Sequence, residues 1–547
     1  MWELTSPKGL NFAVDKNLNN FVAFVCYNKE TKKFQNRFFY NIGQPIQDPP
    51  IHKLHKDLPI GNIKKIISFE NINKVSFICE YNNNEYFLEF DGTNKNLIVY
   101  FQVLKKSNHN IIPYFVFNNK RIRIDVDKVS YIFLPNKKCY RITSNKKFVD
   151  RQNYSEKEII KIVVLANTVR DIETGLLYIV VNRAWIEMMN RIAGYKRKVY
   201  NPVVFIWDAA FNSLLASSFD LSLAEQNLIF LFKQQQEDGM LRQLRVGKKV
   251  NNLTGLPIVS FVVWKIYQKW HNIEFLELIY PKLKAFHMWL KSNRDKNNDG
   301  LLEWGSEDNG DIFIDGKEGG FYESGLDDSP MWIEAEWDKN LRCFKMNCID
   351  LSSIFCLDSL MLFNIANVLK KEKDKIYFLK EYKYYKNLIN KFLWDKTRQI
   401  FANRHWNGKF SNEISPTSFF PLLAKIPDKN RAKLLLKNLL NKKLFWGKYV
   451  IPSVSKKSKY YDPDGDYWRG RIWPPLNYLV YEGVKLYDSN LAKDLHEKYK
   501  KMFFREWKHH FHVHENYSVL TGYGEPQEGV YARSCPFYTW GALLLLD

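Results

Sequence analysis

No two cysteines in this chain are spaced as CxxC; the seven, Cys26, Cys79, Cys139, Cys343, Cys348, Cys356 and Cys535, are scattered and odd in number. That argues against a disulfide framework or a cysteine-ligated zinc site and fits a reducing compartment. No run of about 18 apolar residues occurs, so no membrane span is expected. The opening Met1-Trp2-Glu3-Leu4-Thr5-Ser6-Pro7-Lys8 lacks the basic-then-apolar pattern of a secretory signal, and the expected location is cytoplasmic. Acidic residues are few beside basic ones, 59 against 81, for a formal net charge of +22. Such a balance raises nucleic acid as a partner. The lysines are dispersed among Asn, Ile, Phe and Tyr along the whole chain, with no basic motif, so no nucleic-acid partner is expected. Nothing in the sequence fixes an oligomeric state.

What is present is a 547-residue chain, 46% hydrophobic, long enough for a large core and more than one domain. Residues 1–150 read as short strands. Positions 75–81 and 86–90 alternate apolar and polar residues around Asn82-Asn83-Asn84, which is a hairpin signal, and similar runs recur at 97–104, 114–117, 122–126 and 129–134. Many short strands at close spacing predict an antiparallel β-sandwich. From about 153 the hydrophobic period becomes helical, with a linker helix expected over 151–174. Twelve helical segments follow, near 175–193, 207–217, 221–235, 257–270, 276–293, 350–371, 376–394, 417–425, 430–441, 473–487, 490–510 and 536–546. Positions 351–369 are apolar nearly all round, whereas the next helix keeps Phe378, Tyr382, Tyr385, Ile389 and Phe392 on one stripe. Buried helices alternating with half-wet ones are what two concentric helical rings require. The expectation is a mostly α chain: a β-sandwich over 1–150, then an (α/α)6 toroid over 175–547 made of six inner–outer hairpins.

Five stretches carry residues suited to chemistry. The first, Gly319-Gly320-Phe321-Tyr322-Glu323-Ser324-Gly325-Leu326-Asp327-Asp328-Ser329-Pro330-Met331-Trp332, sets three carboxylates among glycines and aromatics and reads as a loop. Aromatic faces cover sugar C–H surfaces and shed water, which raises a neighbouring carboxyl towards general-acid use. A solvated acidic turn is the plain alternative. Second, Glu515 in His514-Glu515-Asn516-Tyr517-Ser518 is placed to activate a water, with Glu525 and Glu528 as nearby rivals. Third, Trp207-Asp208 opens a helix, where Asp208 either complements the dipole or meets sugar hydroxyls while Trp207 stacks. Fourth, Tyr467-Trp468-Arg469-Gly470-Arg471-Ile472-Trp473-Pro474 is aromatic and basic just before a helix start. Fifth, Asp295-Lys296-Asn297-Asn298-Asp299-Gly300 matches the start of an EF-hand-type loop, with oxygen ligands at positions one, three and five and glycine at six. It departs at position twelve, where Ser306 stands and Glu303 or Glu307 would have to substitute. Asp295, Asn297 and Asp299 are thus candidate ligands of a structural calcium, and no other cofactor is expected.

The run Tyr322-Glu323-Ser324-Gly325-Leu326-Asp327-Asp328-Ser329-Pro330 resembles the ESGxDxSP motif of glycoside hydrolase family 63. Trp207-Asp208, Tyr467-Trp468-Arg469-Gly470 with Trp473-Pro474, and Glu515-Asn516-Tyr517 follow in the order found in that family, over about 200–547. The resemblance implies an inverting α-glycosidase acting on a small α-glycoside or oligosaccharide. It matches Asp327 to the general acid and Glu515 to the general base, and implies substrate contacts from Trp207, Asp208, Tyr322, Glu323, Tyr467, Trp468, Arg469 and Trp473. Arg471 stands where many members have proline. Asp327 is therefore expected in drier surroundings than Glu515. A trehalase, glucoamylase or phosphorylase of the same toroidal class, and a non-catalytic sugar-binding protein, are the alternatives.

Overall fold

The computed structural model describes the strand backbones between residues 3 and 144, and residues 154–547 apart from 172, 196–200, 464–466, 511–512, 525–533, 536–537 and the side chains of 170, 183, 184, 187 and 510. The chain forms two compact units. One is Met1–Pro202 with Trp507–Val513 and Pro536–Thr539; the other is Val203–Glu506 with His514–Cys535 and Trp540–Asp547.

The first unit holds two antiparallel sheets. The strands are β1 (Glu3–Thr5), β2 (Asn20–Asn28), β3 (Lys33–Ile42), β4 (Asn62–Asn71), β5 (Lys74–Tyr81), β6 (Asn84–Gly92), β7 (Asn96–Lys105), β8 (Ile111–Phe117), β9 (Lys120–Arg123), β10 (Val129–Pro135) and β11 (Tyr140–Ser144). One sheet runs β1-β3-β2-β8-β9 and the other β11-β10-β7-β6-β5-β4. The hairpin read from alternation is β5–β6, with Tyr81 opposite Asn84 and Val75 opposite Phe90.

Helix α1 (Glu156–Ala166) begins in a capping box: Ser155 Oγ accepts from the Glu158 amide, and the Glu158 carboxylate accepts from the Ser155 amide at 2.9 Å. It stops at Ala166 instead of continuing to 174. Thr168–Arg170 pairs with Leu177–Ile179 as a small hairpin, turned by Asp171, whose carboxylate accepts from the Thr174 amide at 2.9 Å, and by Gly175 at φ 72°. The segment from 175 consequently starts as a strand, and only Arg183–Ile192 is helical, as α2. Because α1 buries Ile159, Ile160, Ile162, Val163 and Val164 and packs on β4, residues 151–202 go with the strands. The units divide at Pro202, not near 150.

The second unit is helical: α3 (Ile206–Ala216), α4 (Leu221–Leu231), α5 (Val259–Trp270), α6 (Ile273–Asn293), α7 (Gly316–Ser324), α8 (Ile349–Val368), α9 (Glu372–Phe392), α10 (Phe420–Leu423), α11 (Lys429–Leu439), α12 (Pro474–Lys485) and α13 (Ser489–His510). Helices α3, α5 and α8 each pack on the helix that follows, α4, α6 and α9. They also pack on one another in the series α3–α5–α8–α10–α12, and Phe211 of α3 meets Tyr478 of α12 edge-on at 6.3 Å, which closes the series. This alternation is consistent with an (α/α)6 fold. Helix α8 is buried nearly all round, while α9 buries only Phe378, Glu381, Tyr385 and Ile389. By length and mean hydropathy, 1.5, α8 passes for a membrane-spanning helix, yet 83% of that window is buried inside the protein, as in a core helix.

Two expected helices are shorter or tighter. Positions 417–425 form a 3-10 turn, Pro416–Phe419, followed by the four residues of α10, and the last segment, Thr539–Leu545, is 3-10. One unexpected helix appears, α7, inside the stretch read as a loop. Asp315 caps its start and Gly325, at φ 72°, ends it. The glycines that hide it from periodicity are demanded by packing. A Cβ on Gly320 would lie 2.7 Å from the Phe344 ring.

Candidate active site

The end of α7 sets the first carboxylates. At Gly325 a Cβ would lie 2.9 Å from the Trp207 ring, so glycine both turns the chain and lets it lie against that indole. Beyond the turn, Trp332 Nε1 donates to the Leu326 carbonyl at 3.1 Å, and Ser329 caps the 3-10 turn Pro330–Trp332. Asp327 and Asp328 lie between these ties, both part-exposed. Asp328 is committed: its Oδ1 accepts from the Trp468 amide at 2.9 Å, and its Oδ2 lies 3.5 Å from Arg469 Nε. Asp327 instead interacts electrostatically with the Tyr467 hydroxyl.

A separate backbone pairing brings in Glu515. Ile472 and Tyr517 exchange amide hydrogen bonds of 2.7 and 2.9 Å, which lays 515–517 beside 471–473. The Glu515 amide donates to the Cys535 carbonyl at 2.9 Å, and the Cys535 amide returns a 3.1 Å bond to Glu515 Oε2. Tyr467 Oη donates to Glu515 Oε1 at 2.6 Å. Glu515 is 1% exposed. Burial pushes its carboxyl up to about 7, against the pull of Tyr467, Cys535 and the Arg471 charge. Burial also drives the Tyr467 hydroxyl well above its usual value, helped by the negative charges of Glu515 and then Asp327. One phenol thus feels both carboxylates.

Stacked indoles wall this region. Trp468 lies on Trp473 with centroids 3.5 Å apart, Trp207 stacks on Trp468 at 6.1 Å, and Trp540 meets Trp207 edge-on at 5.2 Å. Of these rings Trp468, Trp473 and Trp540 are buried, and Trp207 keeps part of its surface open.

The expected substrate contacts therefore divide. Trp207 and Arg469 remain part-exposed, and Tyr467 is aimed at Glu515. Trp468 and Trp473 form the wall instead of presenting open faces. Asp208 is buried in the first turn of α3. Tyr322 is 40% exposed, with its carbonyl accepting from Gln243 Nε2. Glu323 is a correction. Its carboxylate accepts four bonds, from Arg294 Nε at 2.9 Å and Nη2 at 2.5 Å, from the Thr254 amide at 2.9 Å and from the Gly305 amide at 2.7 Å. A side chain so saturated and buried has no oxygen left for sugar. The expected order of dryness is also reversed, since Asp327 is part-exposed and Glu515 is enclosed. Glu525 and Glu528 lie outside the described residues. Sequence reasoning overlooked Cys535, which stands 20 residues beyond Glu515 and in none of the motifs, and the Arg471–Asn516 side-chain bond, which ties the two motif strands together. An open depression of about 490 Å³ bordered by Phe392, Trp394, Arg398 and Arg404 shares no residue with this cluster.

A helical unit that gathers carboxylates and stacked indoles around Tyr467 suits a carbohydrate-processing enzyme, and comparison with known proteins gives the class. Residues 201–540 match the family model of the mannosylglycerate hydrolase MGH1-like glycoside hydrolase domain. The mannosylglycerate hydrolase of Thermus thermophilus is 24% identical over 429 residues, covering 63% of this chain and 94% of that one. The mannosyl-oligosaccharide glucosidase GCS1 of Arabidopsis thaliana is 25% identical over 63% of this chain and 48% of its own length, so the chain spans about half of that relative. A crystal structure of the family 63 mannosylglycerate hydrolase from Thermus thermophilus in complex with glucose superposes with a TM-score of 0.52 at 24% identity, over 63% of this chain and 93% of that one. The chain belongs to glycoside hydrolase family 63 and is a glycosidase.

Proposed function

We propose that the protein is an inverting α-glycosidase of a small α-glucoside or glycosylglycerate, with Asp327 as general acid and Glu515 as general base. The observation that carries this reading is Tyr467, whose hydroxyl is bonded to Glu515 and feels the charge of Asp327, so that two carboxylates from distant motifs share one neighbourhood. A base works best when its pKa lies near the working pH, and Glu515 at about 7 meets that condition. Asp327, part-exposed in the free protein, would be covered when a sugar settles against Trp207. The Thermus relative, a mannosylglycerate hydrolase crystallised in complex with Tris and D-glycerate, supports a small glycoside with a carboxylated aglycone. The reading extends to architecture: the second unit closes as an (α/α)6 toroid, and the two sheets of the first stack as an antiparallel sandwich.

The test is a screen of α-linked disaccharides, mannosylglycerate and glucosylglycerate, read as released monosaccharide, with proton NMR of the first-formed sugar. Inversion of an α-glycoside delivers the β anomer first; an α anomer appearing first defeats the inverting assignment. Inversion also requires a water between base and anomeric carbon, hence carboxyl groups roughly 6.5–9.5 Å apart in the complex.

A structural calcium in the 295–303 loop is part of the same proposal. Among the described residues no three His, Cys, Asp or Glu side chains converge as a metal cluster, so Asn and main-chain oxygens would have to complete the shell. The support is Asp295, whose Oδ1 is buried with no hydrogen-bond partner while Oδ2 accepts from the Gly300 amide at 3.1 Å. Burial raises the carboxyl of Glu303 well above its usual value, and the charges of Asp299 and Asp295 add to that. A bound cation would relieve both. Calcium removal by chelator is expected to lower Tm by several degrees; an unchanged Tm with no metal found by elemental analysis ends the idea.

A further inference from the structure

The described cysteines are not alike. Cys343, Cys348 and Cys356 are buried, whereas Cys535 is part-exposed and sits on the carboxylate of Glu515. Its amide donates to Glu515 Oε2 at 3.1 Å, its carbonyl accepts from the Glu515 amide at 2.9 Å, and its thiol also hydrogen-bonds the Glu515 side chain. Tyr467 Oη donates to the other oxygen, Oε1, at 2.6 Å. Each carboxylate oxygen offers about two lone-pair positions.

We propose that Cys535 is a positioning residue for the general base: its main chain and thiol hold the Glu515 carboxylate alongside Tyr467 and fix its orientation towards the attacking water. The inference deepens the proposed function and rests on Glu515 acting as the base. It follows that enzymatic turnover is thiol-dependent, although the described cysteines are all free. Capping the sulfur removes a donor and wedges bulk against the base. The carboxylate then loses stabilisation of its charged form, and its pKa rises. Serine, which keeps a hydroxyl donor at the same place, preserves the arrangement; alanine does not.

Two measurements test this, one of them independent of turnover. In the first, the full-length protein is alkylated with iodoacetamide and Cys535 labelling is followed by peptide mass spectrometry across pH. A thiol that donates to a carboxylate anion is held protonated, so Glu515→Gln is expected to speed labelling at Cys535 several-fold; an unchanged rate overturns the contact. In the second, pH profiles of kcat/KM are compared for wild type, Cys535→Ala and Cys535→Ser on whichever glycoside the screen identifies. The alanine variant is expected to move the acidic limb up by about one pH unit and lower kcat with KM little changed, and the serine variant to restore both. Methyl methanethiosulfonate should inactivate wild type reversibly, with activity regained in dithiothreitol, and spare Cys535→Ser. An acidic limb that does not move in Cys535→Ala overturns the positioning role. A wild type inactive on every glycoside refutes the proposed function instead, and leaves the labelling result to stand or fall by itself.

Discussion

Glu515→Gln is expected to abolish turnover on every substrate, whereas Asp327→Asn should fail on ordinary glycosides and keep working on an α-glycosyl fluoride. The asymmetry follows from the two roles. Fluoride leaves without needing a proton, so loss of the general acid is bypassed. Activation of water is still required, so loss of the general base is not. Each variant should lower kcat on a normal glycoside by a factor on the order of 10² or more. The pH profile carries the same assignment. Glu515 serves as base only when ionised, and burial lifts its carboxyl to about 7. In wild type, kcat/KM should therefore fall as pH drops through about 7. The enclosure of Glu515 relative to Asp327 leaves room for exchanged roles, with Glu515 donating the proton. The fluoride experiment decides between them: survival of Glu515→Gln activity on the fluoride, with none in Asp327→Asn, would reverse the assignment.

Glu323→Gln is expected to unfold the second unit more readily, not to weaken substrate binding. The Glu323 carboxylate and the Arg294 guanidinium are both fully buried, and Arg294 reaches Glu307 as well at 2.6 Å. Four donors converge on the two Glu323 oxygens, among them the Thr254 and Gly305 amides. Glutamine supplies one acceptor oxygen in place of two and turns an amide N–H₂ against donors. Breaking one partner of a buried ion pair costs ~3–5 kcal/mol, and here Glu307 alone is left to compensate Arg294. For a unit of this size that corresponds to a fall in Tm of roughly 4–7 °C. Thermal unfolding by circular dichroism, with KM measured below the transition, separates the readings. An unchanged Tm with a raised KM would return Glu323 to the substrate.

Much of the layout is legible in the residues. Strict alternation gives β5 and β6, because a pleated strand repeats every two residues, and the two runs pair from Tyr81 opposite Asn84 to Lys74 opposite Asp91. The contrast between α8, apolar all round, and α9, apolar on one stripe, gives an inner and an outer helix, since a 3.6-residue period reports which faces are covered. The motifs around Asp327 and Glu515 name the carboxylates. Helix α7 is not legible, because Gly319 and Gly320 remove the apolar repeat at the positions where Ser306 and the Phe344 ring need space. Nor does the sequence separate Asp327 from Asp328, or show that Glu323 faces Arg294.

The sequence by itself determined the helical and strand periods and the family motifs that carry the candidate carboxylates, because these are written in local spacing. Only the tertiary structure decided which acids are spent on the scaffold, which one Tyr467 holds, and that Cys535 stands on Glu515 from 20 residues further along the chain. Hydrogen-bond partners and burial are set by segments distant in sequence, and a carboxylate's protonation depends on both.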